Sequence, residues 1–191
     1  MNGSVYESAA PEASTRNCFA VLVNNEPGVL ARVIGLFSGR GYNIESLTVD
    51  EVDSSAHLSR ITIVTSGPPR IIEQIKAQLG RLVPVRQVVN LTTQGKSIEG
   101  CLAYIKFIGD DNGREQAKLI ARKLGARVVD TTGDAVIFEL TAVFGHIEQM
   151  IEALKPLGPI EIARTGSVAM ACGESMLDVP APAMTSIPPA A

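Results

Sequence analysis

The sequence has no tryptophan, and aromatic residues make up only 4% of its 191 positions, so any core must be aliphatic. Cysteine is scarce and odd in number: Cys18, Cys101 and Cys172 lie far apart, which suits neither a disulfide framework nor a zinc site. The two histidines, His57 and His146, have no cysteine or aspartate partner at catalytic or ligand spacing and read as structural or surface residues. Gly-x-Ser-x-Gly, the P-loop and Gly-x-Gly-x-x-Gly are all missing. No apolar run approaches the roughly 18 residues a membrane helix needs. Positive charge is not in excess: 17 Lys and Arg stand against 20 Asp and Glu, a formal net charge of −3, which argues against nucleic-acid binding. The first residues lack the basic-then-apolar layout of a secretory signal. These absences predict a soluble, cytoplasmic protein with reduced thiols, no membrane contact and no catalytic constellation.

What is present is a repeated order of elements. Residues 1–17 are small and polar and predict a disordered tail. Cys18 to Val23 has strand length. Pro27 to Gly39 predicts a helix, with Leu30, Val33, Ile34 and Phe37 on one face and Pro27 at an early helical position. Asn43 to Val49 predicts a strand, Asp50 to Ala56 a hairpin loop, and Leu58 to Thr65 a strand. Arg70 to Leu82 predicts a helix and Val83 to Leu91 a strand. The order then returns about 84 residues later: strand (Cys101 to Ile108), helix (Gly113 to Leu124), strand (Ala126 to Asp130), turn at Gly133, strand (Ala135 to Leu140), helix (Val143 to Leu154), strand (Ile160 to Ala169, interrupted at Gly166). The fold class is α+β, with two tandem ferredoxin-like βαββαβ modules, each a four-stranded antiparallel sheet with helices on one face. The expected divisions are 1–17, 18–92, a linker at 93–98, 99–173 and a Pro/Ala-rich tail at 174–191. A module of about 75 residues has a thin core, so pairing of modules, and a ligand at a module interface, are expected.

The stretch from Asn24 to Thr48 carries the candidate site. A helix opening at Pro27-Gly28 presents free backbone N–H groups and the positive end of its dipole, a seat for a small carboxylate. Asn25 offers an amide to a ligand or serves as a turn or cap residue. Gly28 lets a carboxylate reach the backbone or merely supplies loop freedom. Asn43 is either a ligand residue or a left-handed turn asparagine. Gly109-Asp110-Asp111-Asn112-Gly113 suits a magnesium loop or, more ordinarily, a negatively charged helix cap. Arg114, Lys118 and Arg122 form a basic stripe, a solvated or docking face. Cys18 and Cys101 read as small buried hydrophobes.

Asn25-Glu26-Pro27-Gly28-Val29-Leu30, Arg32 to Ser38, Arg40-Gly41-Tyr42-Asn43-Ile44-Glu45-Ser46-Leu47-Thr48-Val49 and Leu58 to Ile63 resemble the ACT domain of acetolactate synthase small (regulatory) subunits. Glu161 to Gly166 is similar to that family's last strand. The resemblance implies a subunit without a catalytic site or cofactor of its own. It implies activation of a large catalytic subunit, which holds thiamine diphosphate, magnesium and FAD and converts two pyruvates to 2-acetolactate and CO₂. It also implies feedback inhibition by valine in branched-chain amino-acid synthesis, and a homodimer through the ACT domains. Its effector site implies Asn25 and Gly28 on one side and Asn43 from the partner chain; Val29, Leu30 and Ile44 are added as neighbours by position. Ala31 stands where other members carry a hydroxyl. The alternatives are a stand-alone ACT-type amino-acid sensor for another enzyme, and a small metal enzyme using Asp110 and Asp111.

Overall fold

The computed structural model describes residues 13–177. The remainder of the two predicted tails lies outside the described residues. The first module runs β1 (Thr15–Asn24), α1 (Val29–Ser38), β2 (Ser46–Asp53), β3 (Leu58–Gly67), α2 (Pro69–Leu79) and β4 (Val85–Asn90). The second runs β5 (Ser97–Ile108), α3 (Asp111–Lys123), β6 (Arg127–Thr132), β7 (Ala135–Ala142), α4 (Phe144–Leu154), β8 (Ile160–Arg164) and β9 (Val168–Ala171). The first sheet has the order β2-β3-β1-β4 and the second β6-β7-β5-β8, with β9 added on β5. Every pairing is antiparallel. No helix among the described residues is long and apolar enough to cross a membrane.

Each module packs two helices on one sheet face. Phe19, Val21 and Val23 of β1 meet Val33 and Phe37 of α1 and Ile72, Ile75 and Leu79 of α2. Ala103, Ile105 and Phe107 of β5 meet Ala117 and Ala121 of α3 and Ile147, Met150, Ile151 and Leu154 of α4. Burying one such large aliphatic or aromatic side chain contributes about 1.5–3 kcal/mol, and these clusters supply most of each module's stability.

Several boundaries differ from expectation. Thr15, Arg16 and Asn17 belong to β1, pairing with Gly67, Ser66 and Thr65, so the ordered chain starts before residue 18. Pro27 is not a helical residue: Pro27-Gly28 form a turn, with Gly28 at φ 83, ψ 0 and Val29 N–H donating to Glu26 O at 3.2 Å. That is the pattern of a type II turn, which wants Pro then Gly at its centre. The buried face of α1 is Val29, Val33, Leu36 and Phe37, while Ile34 is 42% exposed. The helix is apolar nearly all round, so its period alone left the face ambiguous. Asp50 to Asp53 extend β2 rather than forming a loop; β2 is an edge strand, where exposed carboxylates are tolerated. Leu82 lies beyond α2 but still packs on the first core.

Ser97 and Ile98 begin β5, so the second module starts inside the expected linker. The last predicted strand is two strands. β8 pairs with Ala103–Phe107 of β5, and after Gly166 the chain continues as β9 against Ser97–Gly100. This β5–β9 ribbon lies on the first module's sheet. Ala169 is buried with Cys18, Ala20, Val64 and Leu91 in a third cluster, with Val89, Ala171 and Leu177 around it. The first sheet is therefore covered on both faces. Leu177, within the expected tail, packs here.

Candidate functional site

The α1 N-terminus is built by the type II turn and by the end of β1. Asn24 N–H donates to Pro84 O and Asn25 N–H to His57 O, which anchors the turn to both flanking segments. His57 sits at φ 50, the only non-glycine residue with positive φ among those described. Gly28 needs its positive φ, and a Cβ there would meet nothing within 4 Å, so the space in front of the helix is open. No side chain caps α1, and no acidic residue occupies its first turn.

The Val29 N–H is committed to Glu26, and the Val29 side chain is buried in the core. The N–H groups of Leu30 and Ala31 have no partner among the described residues and are the donors a carboxylate would meet. The Leu30 side chain is half-buried against the core and forms part of the floor. Asn25 is exposed; its amide donates to Glu51 Oε1 at 3.1 Å, a bond a ligand acceptor would have to replace. Arg32 pairs with Glu26 at 2.7 Å beside the turn.

Asn43 lies at the other end of α1. The left-handed position is taken by Gly41 (φ 67), so Asn43 is not a left-handed asparagine. Thr65 Oγ1 donates to the Asn43 carbonyl at 2.6 Å, which fixes its backbone while the residue stays exposed. Ile44 is half-exposed and packs on the core edge. A helix of α1's 10 residues spans about 15 Å at ~1.5 Å per residue, so one chain does not bring Asn25 and Asn43 together. The candidate residues of one chain therefore lie in two separate places, at the two ends of α1.

The corresponding position in the second module is closed. Asp110 is the N-cap of α3, its carboxylate accepting from Gly113 N–H at 2.7 Å. Asp111 pairs with Arg114, which also reaches Asp134 at 2.9 Å. These carboxylates are spent on capping and ion pairing, and no described group of three or more His, Cys, Asp or Glu could hold a metal. Of the basic stripe, Arg114 is mostly buried in these pairs and Lys118 bonds Glu115 at 2.8 Å. Cys18 is buried, and burial pushes its thiol up to about 11; Cys101 is raised for the same reason, so neither is an activated nucleophile.

Residues that sequence reasoning missed join the two modules near Asn43. Arg16 bonds Glu99 at 2.8 Å and approaches Glu45 at 3.4 Å. Arg16 holds the Glu99 carboxyl below its ordinary pKa, against the opposing effect of burial. Ser167 and Gly166 sit on β2. A signal was available: Cys18 to Val23 is apolar without alternation, the mark of a strand buried on both faces.

Comparison with known proteins gives the setting. A profile of the AHAS small subunit-like ACT domain matches residues 19–87, and one of the small subunit of acetolactate synthase matches residues 101–173. The chain belongs to the acetolactate synthase small-subunit family. The small subunit of acetolactate synthase isozyme 3 from Escherichia coli is 37% identical over 163 residues, covering 85% of this chain and 99% of that one. The acetolactate synthase small subunit of Aquifex aeolicus is 40% identical over 156 residues, covering 81% of this chain and 80% of that one. Among solved structures, the acetolactate synthase small subunit from Thermotoga maritima matches with a TM-score of 0.72 at 34% identity, covering 82% of this chain and 96% of that one. Membership in this small-subunit family makes the first module an ACT domain and the second its tandem partner.

Proposed function

We propose that this chain is a regulatory subunit that binds an acetolactate synthase catalytic subunit, raises its activity and makes it sensitive to valine. The observation that carries the effector reading is the uncapped start of α1. Two free N–H groups and the helix dipole face open space there, next to the Asn25 amide. The chemistry suits an amino-acid carboxylate. The effector's ammonium meets an asparagine carbonyl, and its aliphatic side chain meets Leu30 and Ile44.

Two copies complete the seat. Because Asn43 lies a helix length from Asn25 within one chain, the Asn43 and Ile44 that close over the carboxylate come from a second copy, and the working unit is a homodimer. An effector held by both chains binds one arrangement of the modules more tightly than another, and that difference in affinity is what regulates the attached enzyme. The chemistry, two pyruvates to 2-acetolactate and CO₂, belongs to the cytoplasmic catalytic partner, to which thiamine diphosphate, magnesium and FAD are assigned.

The test is calorimetry of the isolated chain with valine, leucine and isoleucine, repeated on Asn25→Ala. Saturable heat with at least one of them, lost or much reduced in the variant, supports the reading. No heat with any of the three removes the effector role.

A further inference from the structure

The segment carrying Asn43 and Ile44 is held from two sides. Its own module supplies Val64, whose carbonyl accepts from Glu45 N–H at 2.8 Å, and Ser66, whose hydroxyl donates to the Glu45 carboxylate. The second module supplies the rest. Ser167 N–H donates to Ser46 Oγ at 2.7 Å, and Thr48 Oγ1 donates to Ser167 O at 2.9 Å, so both main-chain groups of one buried residue are bound by hydroxyls of β2. Gly166 lies so close to β2 that a Cβ there would be 2.6 Å from Thr48 Cγ2 and 2.9 Å from Leu47 O. Arg16 bridges Glu45 to Glu99 of β5. Arg60 donates to the Ala169 carbonyl, fixing β9 further along. Beside this contact is a cavity of about 590 Å³ lined by Arg16, Glu45, Leu47, Phe144 and Arg164.

We infer that the second module positions the Asn43–Ile44 wall of the effector seat, through Gly166–Ser167 on β2 and the Arg16–Glu99 bridge, so that effector binding and docking of the β5–β9 ribbon favour each other. This rests on the proposed effector role of Asn43. The backbone from Asn43 to Thr48 is continuous, and Ser46 and Thr48 grip the same residue of the second module. A ligand that draws Asn43 inward loads that grip directly. The neighbouring cavity leaves open space beside Glu45 and Leu47. By linkage, whatever loosens the ribbon weakens the effector, and the effector tightens the ribbon by the same factor. Asn25 and Gly28, a helix length away, are untouched by this contact. Gly166, Ser167, Arg16 and Glu99 are positioning residues, acting through Ser46, Thr48 and Glu45.

The full-length chain tests this by valine calorimetry and by amide hydrogen exchange, on wild type, Gly166→Val, Ser46→Ala and Glu99→Gln. Gly166→Val is expected to weaken valine ~5–50-fold, and the two polar changes by smaller factors, within the usual range of allosteric coupling. In wild type, valine is expected to slow exchange of the Ser167–Ala171 amides, which a purely structural contact would leave unchanged. If Gly166→Val does not fold, Ser46→Ala and Glu99→Gln carry the test, since the first removes one hydroxyl and the second only a charge. Wild type that binds valine, with all variants binding equally and no valine-dependent protection in β9, overturns the inference while leaving the effector role standing. Wild type that binds no amino acid overturns both.

Discussion

α1 and α3 are the same helix in two copies of one fold, and they begin differently. α3 opens on Asp110, whose carboxylate already accepts from Gly113, with Asp111 in the first turn. α1 opens on a Pro-Gly turn with no cap and no acid in the first turn. A helix start offers positive potential and unpaired N–H groups to whatever anion is nearby. In the second module the chain supplies that anion itself. In the first it leaves the place open, and a ligand carboxylate can take it. The same fold thus yields one helix start left open and one satisfied by its own chain, and the difference rests on a few residues at the turn.

The sheets differ in the same spirit. The outer face of the first sheet is covered by the β5–β9 ribbon, and Ala20 there is fully buried. The outer face of the second carries Tyr104 and Ile108, exposed by 43% and 47%, together with the Lys106–Glu161 and Arg127–Glu139 pairs. A covered face needs small apolar residues, whereas an open one tolerates charge.

The strongest way to break this comparison is to place a small polar side chain on each face. Ala20→Asp buries an unpaired carboxylate and is expected to cost about 3 kcal/mol or more, whereas Tyr104→Thr is expected to cost within about 1 kcal/mol. Denaturant unfolding measures both, and equal losses would mean that the first face is not covered in solution. Next in size, Gly28→Asp makes α1 resemble α3 by bringing a carboxylate to its start. Valine affinity is expected to fall ~100-fold, about 2.7 kcal/mol, with inhibition of the reconstituted holoenzyme lost. Unchanged inhibition would remove the site from this turn. The reverse change, Asp110→Ala, opens α3 and is expected to cost about 1 kcal/mol of stability without altering valine binding. The smallest effect is acidic. Arg16 lowers the folded-state pKa of Glu99, so this bridge stabilises above the ordinary glutamate pKa, about 4.3. Its contribution is lost as pH falls through the lower folded value. The acid-side decline in stability should therefore be shallower in Glu99→Gln, read from unfolding midpoints at a series of pH values.

Much of the fold was legible because its patterns are local. Ile147, Met150, Ile151 and Leu154 stand at helical spacing between polar residues, and all four are buried. Cys101 to Ile108 is an apolar run of strand length, and the structure buries Cys101, Ala103, Ile105 and Phe107 on one side. Where composition is uniform, periodicity fails: Val29 to Phe37 is apolar on nearly every side, and the buried face was misplaced onto Ile34. Edge position also hides a strand, since Asp50 to Asp53 look like a loop and extend β2. Of the candidate site, Asn25, Gly28 and Asn43 were picked out from turn chemistry and resemblance. The commitment of the Val29 N–H to Glu26 could not be seen, because it depends on how the turn closes.

The sequence by itself determined the two modules and their antiparallel sheets, because hydrophobic period acts over a few residues. Only the tertiary structure decided that β9 continues along β5 onto the first sheet, that Gly166 must be small to lie against Thr48, and that Arg16 reaches Glu99. Those contacts join residues about 80 to 150 positions apart, and loop closure over such distances is governed by total packing rather than by any local preference. The separation of Asn25 from Asn43 was likewise decided by three dimensions: a rigid helix keeps apart two residues that lie close in the chain.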